Sequence, residues 1–288
     1  MARVDLHLHT TASDGNLSPT ELVRLCARNG LEVIAVTDHD STESLPEALA
    51  AVEEFPRLRL IQGIELSTDA PGAEIHLLGY FVDRSDAAFE NRLRWMRSGR
   101  DERAREMIKK LRGLGLQIEW ERVEEISAGG AIGRPHIAQA LVERGYVEYP
   151  AEAFDRYLGR NGPAYVDRPT LRPPDALELL LSNGAVPVLA HPSYVVQKDS
   201  EGGEDALGEI VAGLKEAGLA GMEVYYKDYT PEQVESLATL ARDMDLILCG
   251  GTDYHASGNP GEPEPGATGP PLETVAALEA VRRRSAPT

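Results

Sequence analysis

Short apolar runs rich in β-branched residues recur along the chain, most of them followed by a segment with apolar residues at helical spacing. Continuous runs of this kind suit strands buried on both faces, as in a parallel sheet. They predict strands at 3–8, 32–37, 58–64, 74–81, 186–190, 220–225 and 246–250. The first intervening helix carries its own boundary signals. Ser18 reads as the N-cap, Pro19 takes the first helical position, Glu21 completes a capping box, and Asn29-Gly30 stops the helix. Helices at 43–54, 173–183, 205–217, 231–243 and 271–284 continue the alternation. Seven strands alternating with helices predict an α/β barrel or a doubly wound sheet.

The rhythm breaks between Ser85 and Asp167, where no strand is readable. Leu93, Met96, Ala104, Met107, Ile108 and Leu111 recur at helical spacing, and shorter helices are expected at 119–126, 134–144 and 151–158. The chain therefore reads as a barrel from residues 1–84 and 168–288, with a small helical domain inserted at 85–167. Without the insertion about 200 residues remain, somewhat fewer than the ~250 of an eight-fold barrel. Gly and Pro fill nine of the 16 positions from Ala256 to Pro271. That composition predicts a flexible surface loop, with a lid over the neighbouring site as the alternative.

Composition narrows the classes. The 288 residues are 42% hydrophobic and 26% charged, which excludes a disordered or fibrous chain. The longest apolar run, Ala185–Ala190, falls far short of the ~20 residues that span a bilayer, so no membrane partner is expected. No secretory leader is read at the N-terminus, and Cys26 and Cys249 have no paired spacing, so a cytoplasmic protein with reduced thiols is expected. The balance of 29 basic and 47 acidic residues, −18 in all, argues against a stable duplex nucleic-acid partner. Residues 92–112 depart from it, with nine bases against three acids. This stretch is either a solvated helix face or an electrostatic funnel for a nucleotide or short RNA.

The histidines carry the chemistry. His7 and His9 alternate along the first strand and, with Asp5, are expected on one face. Asp14 follows that strand, His39 and Glu65 follow the second and third, and His76 lies in the fourth. His191 ends the fifth strand, and Asp253 and His255 follow the seventh. In a parallel barrel such strand ends converge on one rim. Imidazoles and carboxylates gathered there are costly to bury unless cations neutralise the carboxylates. Nitrogen and oxygen donors without a thiolate favour Mn, Fe or Zn. Two such ions roughly 3.5–4 Å apart can hold a hydroxide between them and polarise a phosphate ester. No protein nucleophile or Gly-rich phosphate loop is then needed, and neither is readable.

The motifs Asp5-Leu-His7-Leu-His9, Asp14-Gly15, Thr37-Asp38-His39-Asp40, Gly63-Ile64-Glu65, His76, Ala190-His191-Pro192 and Asp253-Tyr254-His255 resemble the PHP (polymerase and histidinol phosphatase) phosphoesterases. The resemblance implies a distorted (β/α)7 barrel. It also implies two or three divalent transition metals, manganese first, with iron or zinc as alternatives. His7, His9, Glu65 and Asp253 would hold one metal. Glu65 would bridge to a second held by His76 and His191, and Asp14, His39 and His255 would hold a third. Of these, Asp14, His39, Glu65, His191, Asp253 and His255 are the expected catalytic residues.

Gly133-Arg134-Pro135-His136, Tyr157-Leu158 and Gly162-Pro163-Ala164-Tyr165-Val166 resemble the branch with 3′,5′-nucleoside bisphosphate phosphatase and 5′-3′ exoribonuclease activity. That implies attack on the 3′-phosphate, or 3′-phosphodiester, of a 5′-phosphorylated nucleotide or short RNA. Arg134 and His136 are the expected substrate contacts, because a guanidinium grips phosphate through paired N–H groups and a helix start favours anions. Asp38, Asp40 and Tyr254 are candidates to orient the ligands or transfer protons. Three other readings compete: a histidinol phosphate phosphatase, a metal amidohydrolase, and a non-catalytic metal-binding accessory module. The amidohydrolase reading lacks a lysine at an early strand end to carry a bridging carboxylate, and the accessory module is at odds with a full ligand set. The oligomeric state is left open.

Overall fold

In the computed structural model, residues 1–70, 73–167, 170–195 and 203–285 are described. Residue 168, expected to open the second barrel segment, and residues 286–288 lie outside them. Strands β1 (Val4–Leu8), β2 (Val33–Val36), β3 (Arg59–Ala70), β4 (Ala73–Tyr80), β5 (Val186–Leu189), β6 (Gly221–Tyr226) and β7 (Ile247–Gly251) form one sheet in chain order. A parallel bridge between Leu8 and Tyr254 brings its two edges together, so the sheet is a nearly closed barrel. Helices α1 (Pro19–Arg28) and α2 (Leu45–Val52) come first, and α3 (Ala87–Gly113), α4 (Trp120–Ile126), α5 (Arg134–Glu143) and α6 (Pro150–Ala153) form the insertion. Helices α7 (Pro173–Ser182), α8 (Gly203–Glu216), α9 (Pro231–Asp243) and α10 (Leu272–Ser285) return to the barrel. α1 is capped as its sequence demands: Ser18 and Glu21 exchange hydrogen bonds, and Gly30 leaves the helix at φ +79°.

The parallel sheet is interrupted once. β4 runs antiparallel to both β3 and β5, paired with β3 from Gly63 opposite Tyr80 to Ala70 opposite Ala73. The reversal has a consequence for the insertion. β4 leaves the barrel at the end opposite its site-bearing residues, so the following helix must climb the whole barrel to reach the rim. α3 does so with 27 residues, a length of ~40 Å. Its first half packs Phe89, Leu93 and Met96 into the barrel's outer core. Its second half turns Ala104, Met107, Ile108 and Leu111 into a separate core with Val123, Ile137, Leu141 and Leu158. The insertion's own core thus begins at Ala104, well inside the stretch that starts at Ser85. Among the described residues no helix is long and apolar enough to cross a membrane.

Candidate metal centre

Glu65, wholly buried in β3, lies at the centre of the rim cluster. Its Oε1 is 2.8 Å from His76 Nδ1 and 3.2 Å from His191 Nε2. Its Oε2 is 3.0 Å from His39 Nδ1 and 3.3 Å from Nε2 of both His7 and His9. Those two Nε2 atoms also face Asp253 Oδ1, at 3.3 and 3.2 Å. Asp14 completes the cluster, with Oδ1 3.3 Å from His255 Nε2 and Oδ2 3.6 Å from His39 Nε2. Three donor sets result, each with ligand atoms within 4.8 Å of one another: His7, His9, Glu65 and Asp253; His39, Glu65 and His76; His9, Asp14, His39 and His255. The structure thus brings together all nine residues that the sequence singled out for metal, with His191 reaching the cluster through Glu65.

Local backbone geometry aims these groups. Gly251 lets β7 approach β1 closely, because a Cβ there would fall 2.5 Å from His7 N. β1 shifts register between Asp5 and Leu8, which breaks the alternation expected of Asp5, His7 and His9. Asp5 therefore stays out of the cluster and accepts hydrogen bonds from Thr252 N and Oγ1 and from Gly266 N, while burial raises its pKa to about 6. None of the three candidates for supporting groups bonds a cluster imidazole directly, although Asp38 holds Ser13, whose Oγ is 3.5 Å from His9 Nδ1. Asp38 accepts from Thr10, Ser13 and Ser44, which ties the loop after β1 to the end of β2. Asp40 pairs with Arg100, and Tyr254 is packed in the core. The carboxylate that does orient a cluster imidazole is Glu223, 3.1 Å from His7 Nδ1 and bonded to His191 N. A lone acid inside the apolar sixth strand was the sequence signal for it.

The cluster's field calls for positive charge. Burial opposes ionisation of Glu65, Asp14 and Asp253, yet neighbouring imidazoles, and Lys227 beside Asp253, hold all three well below the usual carboxylate range. Burial likewise opposes protonation of His9 and His76, but adjacent carboxylates raise them to about 10 and about 9. His39 goes the other way: burial lowers it to about 3, leaving a neutral ring with its lone pair available. Among the described residues, His7 Nε2, His9 Nε2, Asp14 Oδ1, His39 Nδ1, Glu65 Oε2, His76 Nε2 and His191 Nδ1 are buried without a hydrogen-bond partner. Those on His7, His9, Asp14, His39 and Glu65 converge within the cluster, and nitrogen and oxygen donors gathered there fit divalent ions.

The cluster opens onto a cleft of about 970 Å³ between insertion and barrel, and onto a recess of about 210 Å³ that shares lining residues with it. Arg134 lines both; one N–H reaches Glu74 at 2.8 Å, and the guanidinium lies over Phe154. His136, expected beside it as a substrate contact, lines neither. The reason is local: its ring is buried and Nδ1 accepts the Gly133 N–H, so it caps its own helix. The basic stretch is mostly occupied by the fold. Arg97 donates to Asp40 O, Arg103 to Val166 O, Lys110 to Tyr165 O and Arg112 to Ile118 O. Arg100 and Arg103 nevertheless reach the recess, and only the folded α3 shows that these arginines turn inward; Glu74, on β4, joins them there. The Gly/Pro-rich stretch is pinned at several points. Glu262 binds His255 N and Ser257, Asn259 accepts from Ala151 N in the insertion, and Gly266 meets Asp5. Ser257 and Asn259 to Pro263 form one wall of the cleft.

Comparison with known proteins agrees with this architecture. The PHP domain family model matches residues 5–158. A 5′-3′ exoribonuclease of Haemophilus influenzae is 34% identical over 88% of this chain and 90% of its own. A 3′,5′-nucleoside bisphosphate phosphatase of Chromobacterium violaceum is 30% identical over 91% of this chain and 90% of its own. Among solved structures, one from Bifidobacterium adolescentis assigned as a metal-dependent phosphoesterase superposes with a TM-score of 0.86 at 29% identity, covering 96% of both chains. An amidohydrolase of Chromobacterium violaceum, with sulfate bound and no metal, gives 0.86 at 30% identity over 97% of both.

Proposed function

The chain belongs to the PHP domain family, and from that premise we propose that it is a metal-dependent phosphoesterase acting on the 3′ side of 5′-phosphorylated nucleotides. Its substrates are nucleoside 3′,5′-bisphosphates or the first residue of a short 5′-phosphorylated RNA. The observation that carries this reading is the division of Glu65, with one oxygen toward His76 and His191 and the other toward His7, His9 and His39. A carboxylate so shared would bridge two ions. His7, His9 and Asp253 would complete the first, His76 and His191 the second, and Asp14, His39 and His255 would hold a third, with manganese the expected metal.

When bound, ions at these positions polarise phosphoryl oxygens, neutralise charge developing on them, and lower the pKa of water. The chain itself does the rest. Glu223 fixes the His7 ring, and the buried strands beneath the rim exclude water. Arg134, set at the first turn of α5 and held by Glu74, would take the phosphate that is not being cleaved. The larger cleft has room for a nucleotide beside the cluster, which favours this class over a small alcohol phosphate such as histidinol phosphate. The two buried, unpaired cysteines support a cytoplasmic site of action.

The test compares kcat/KM for 3′,5′-adenosine bisphosphate with that for p-nitrophenyl phosphate, in wild type and Arg134→Ala. A charge-assisted contact to phosphate is worth ~1.5–3 kcal/mol, so the bisphosphate should lose roughly ten- to 150-fold and the aryl phosphate far less. Equal losses on both would remove Arg134 from recognition of the second phosphate.

A further inference from the structure

Asp253 supplies one oxygen to the cluster, and its other polar atoms are held from behind. Oδ1 faces His7 and His9, whereas Oδ2 accepts from Tyr226 Oη at 2.7 Å. Lys227 Nζ lies 3.3 Å from the same Oδ2 and 2.9 Å from the Asp253 carbonyl. That carbonyl is also 2.9 Å from His255 Nδ1. Because a carbonyl can only accept, Nδ1 must carry the proton, and the lone pair of Nε2 is left toward Asp14. One backbone residue therefore sets both an oxygen of one donor set and the tautomer of a histidine in another. Asp253 does this at φ +51°, a left-handed conformation that a residue with a Cβ keeps only when its surroundings hold it there.

The sixth strand is built to supply the hold. Glu223 and Tyr226 are three residues apart, and in a regular strand they would point to opposite faces. β6 shifts register between Glu223 and Tyr225, so that both side chains reach the cluster, Glu223 at His7 and Tyr226 at Asp253. Lys227 follows at the rim, four-fifths shielded by its neighbours and lining the cleft.

We infer that Tyr226 and Lys227 are positioning residues: they clamp Asp253 so that Oδ1 and, through its carbonyl, the His255 ring are presented to two different ions. This rests on the ion assignment proposed above. Of Asp253, Tyr226 touches only the carboxylate, through its hydroxyl, while its ring packs edge-on against His191; removing the hydroxyl and keeping the ring should therefore affect the ion shared with His7 and His9. Lys227 touches carbonyl and carboxylate, so its loss should also affect the ion shared with Asp14 and His39. The pair formed by His76 and His191 should be spared.

The experiment titrates metal-stripped wild type, Tyr226→Phe, Lys227→Met and Lys227→Arg with manganese, following free Mn²⁺ by electron paramagnetic resonance, with thermal unfolding in parallel. Supporting partners of metal ligands typically matter by ten- to a hundredfold in affinity. Tyr226→Phe should weaken one ion by about tenfold or more, Lys227→Met two, and Lys227→Arg should recover part of the loss. In the reloaded proteins kcat should fall while KM for p-nitrophenyl phosphate stays within about threefold. Variants that bind manganese like wild type overturn the clamp alone, and a wild type that binds none overturns the ion assignment with it. A raised KM with every ion retained makes Lys227 a substrate contact and also overturns the clamp. Should Lys227→Met not fold, Tyr226→Phe, which removes a single hydroxyl, decides the question.

Discussion

The donors at the barrel rim sit on strands or just past their ends, whereas the α3 cations of the insertion reach the recess from the flank of a helix. A histidine or aspartate at a strand end has a short side chain, and its position is nearly fixed once the sheet is formed. His7, His9, Glu65 and His76 lie within the strands or one residue beyond, and their atoms meet within a few ångströms. An arginine on α3 has a long side chain, and what it does depends on which partner it finds. Arg97 and Arg100 find the loop around Asp40, Arg103 finds a carbonyl, and Arg105 lies over Trp120. The barrel thus carries the reaction's electrostatics on rigid main chain, while the insertion closes the cleft with adaptable groups.

If that division is right, perturbations on the two sides should separate. Glu65→Gln should have the largest effect, since the amide cannot serve two ions through two anionic oxygens. A loss of more than about a thousandfold in kcat is expected, ~4 kcal/mol in the barrier, with near-native unfolding. Activity within about tenfold of wild type would mean that Glu65 is not a bridge. Leu111→Ala opens a cavity in the insertion's own core and should cost about 2–5 kcal/mol of stability. Calorimetry and metal analysis together should show the lower melting temperature with the ion content intact. Ions lost along with the stability would join the two regions into one unit. Lys109→Ala should do least. Its side chain is exposed and pairs with the exposed Glu106, so kcat/KM should stay within about twofold and stability within about 0.5 kcal/mol. A salt-dependent fall in kcat/KM for 5′-phosphorylated RNA would restore the electrostatic funnel.

The same division explains what was legible in the sequence. Strand-end motifs announced the cluster, because alternation and the barrel rim dictate where such residues go. The reversal of β4 could have been suspected from the missing helix before His76, but its effect on the route of α3 needed the fold. Asp5 was misplaced by a register shift, and Glu223 and Tyr226 were made partners by another. Neither shift leaves a mark in residue type. His136 stands two residues from Arg134 in a motif that looks like a binding site, and only the fold shows its Nδ1 engaged by Gly133 N and its ring away from the lining of cleft and recess.

The central claim is that the buried carboxylates and imidazoles at the rim exist to hold more than one divalent ion. Elemental analysis of protein purified without chelator and then resupplied with manganese tests this most directly. Two or three transition-metal ions per chain are expected, one for each donor set that fills, with at least one fewer in Glu65→Gln. A wild-type protein that retains one ion or none after resupply would contradict the account.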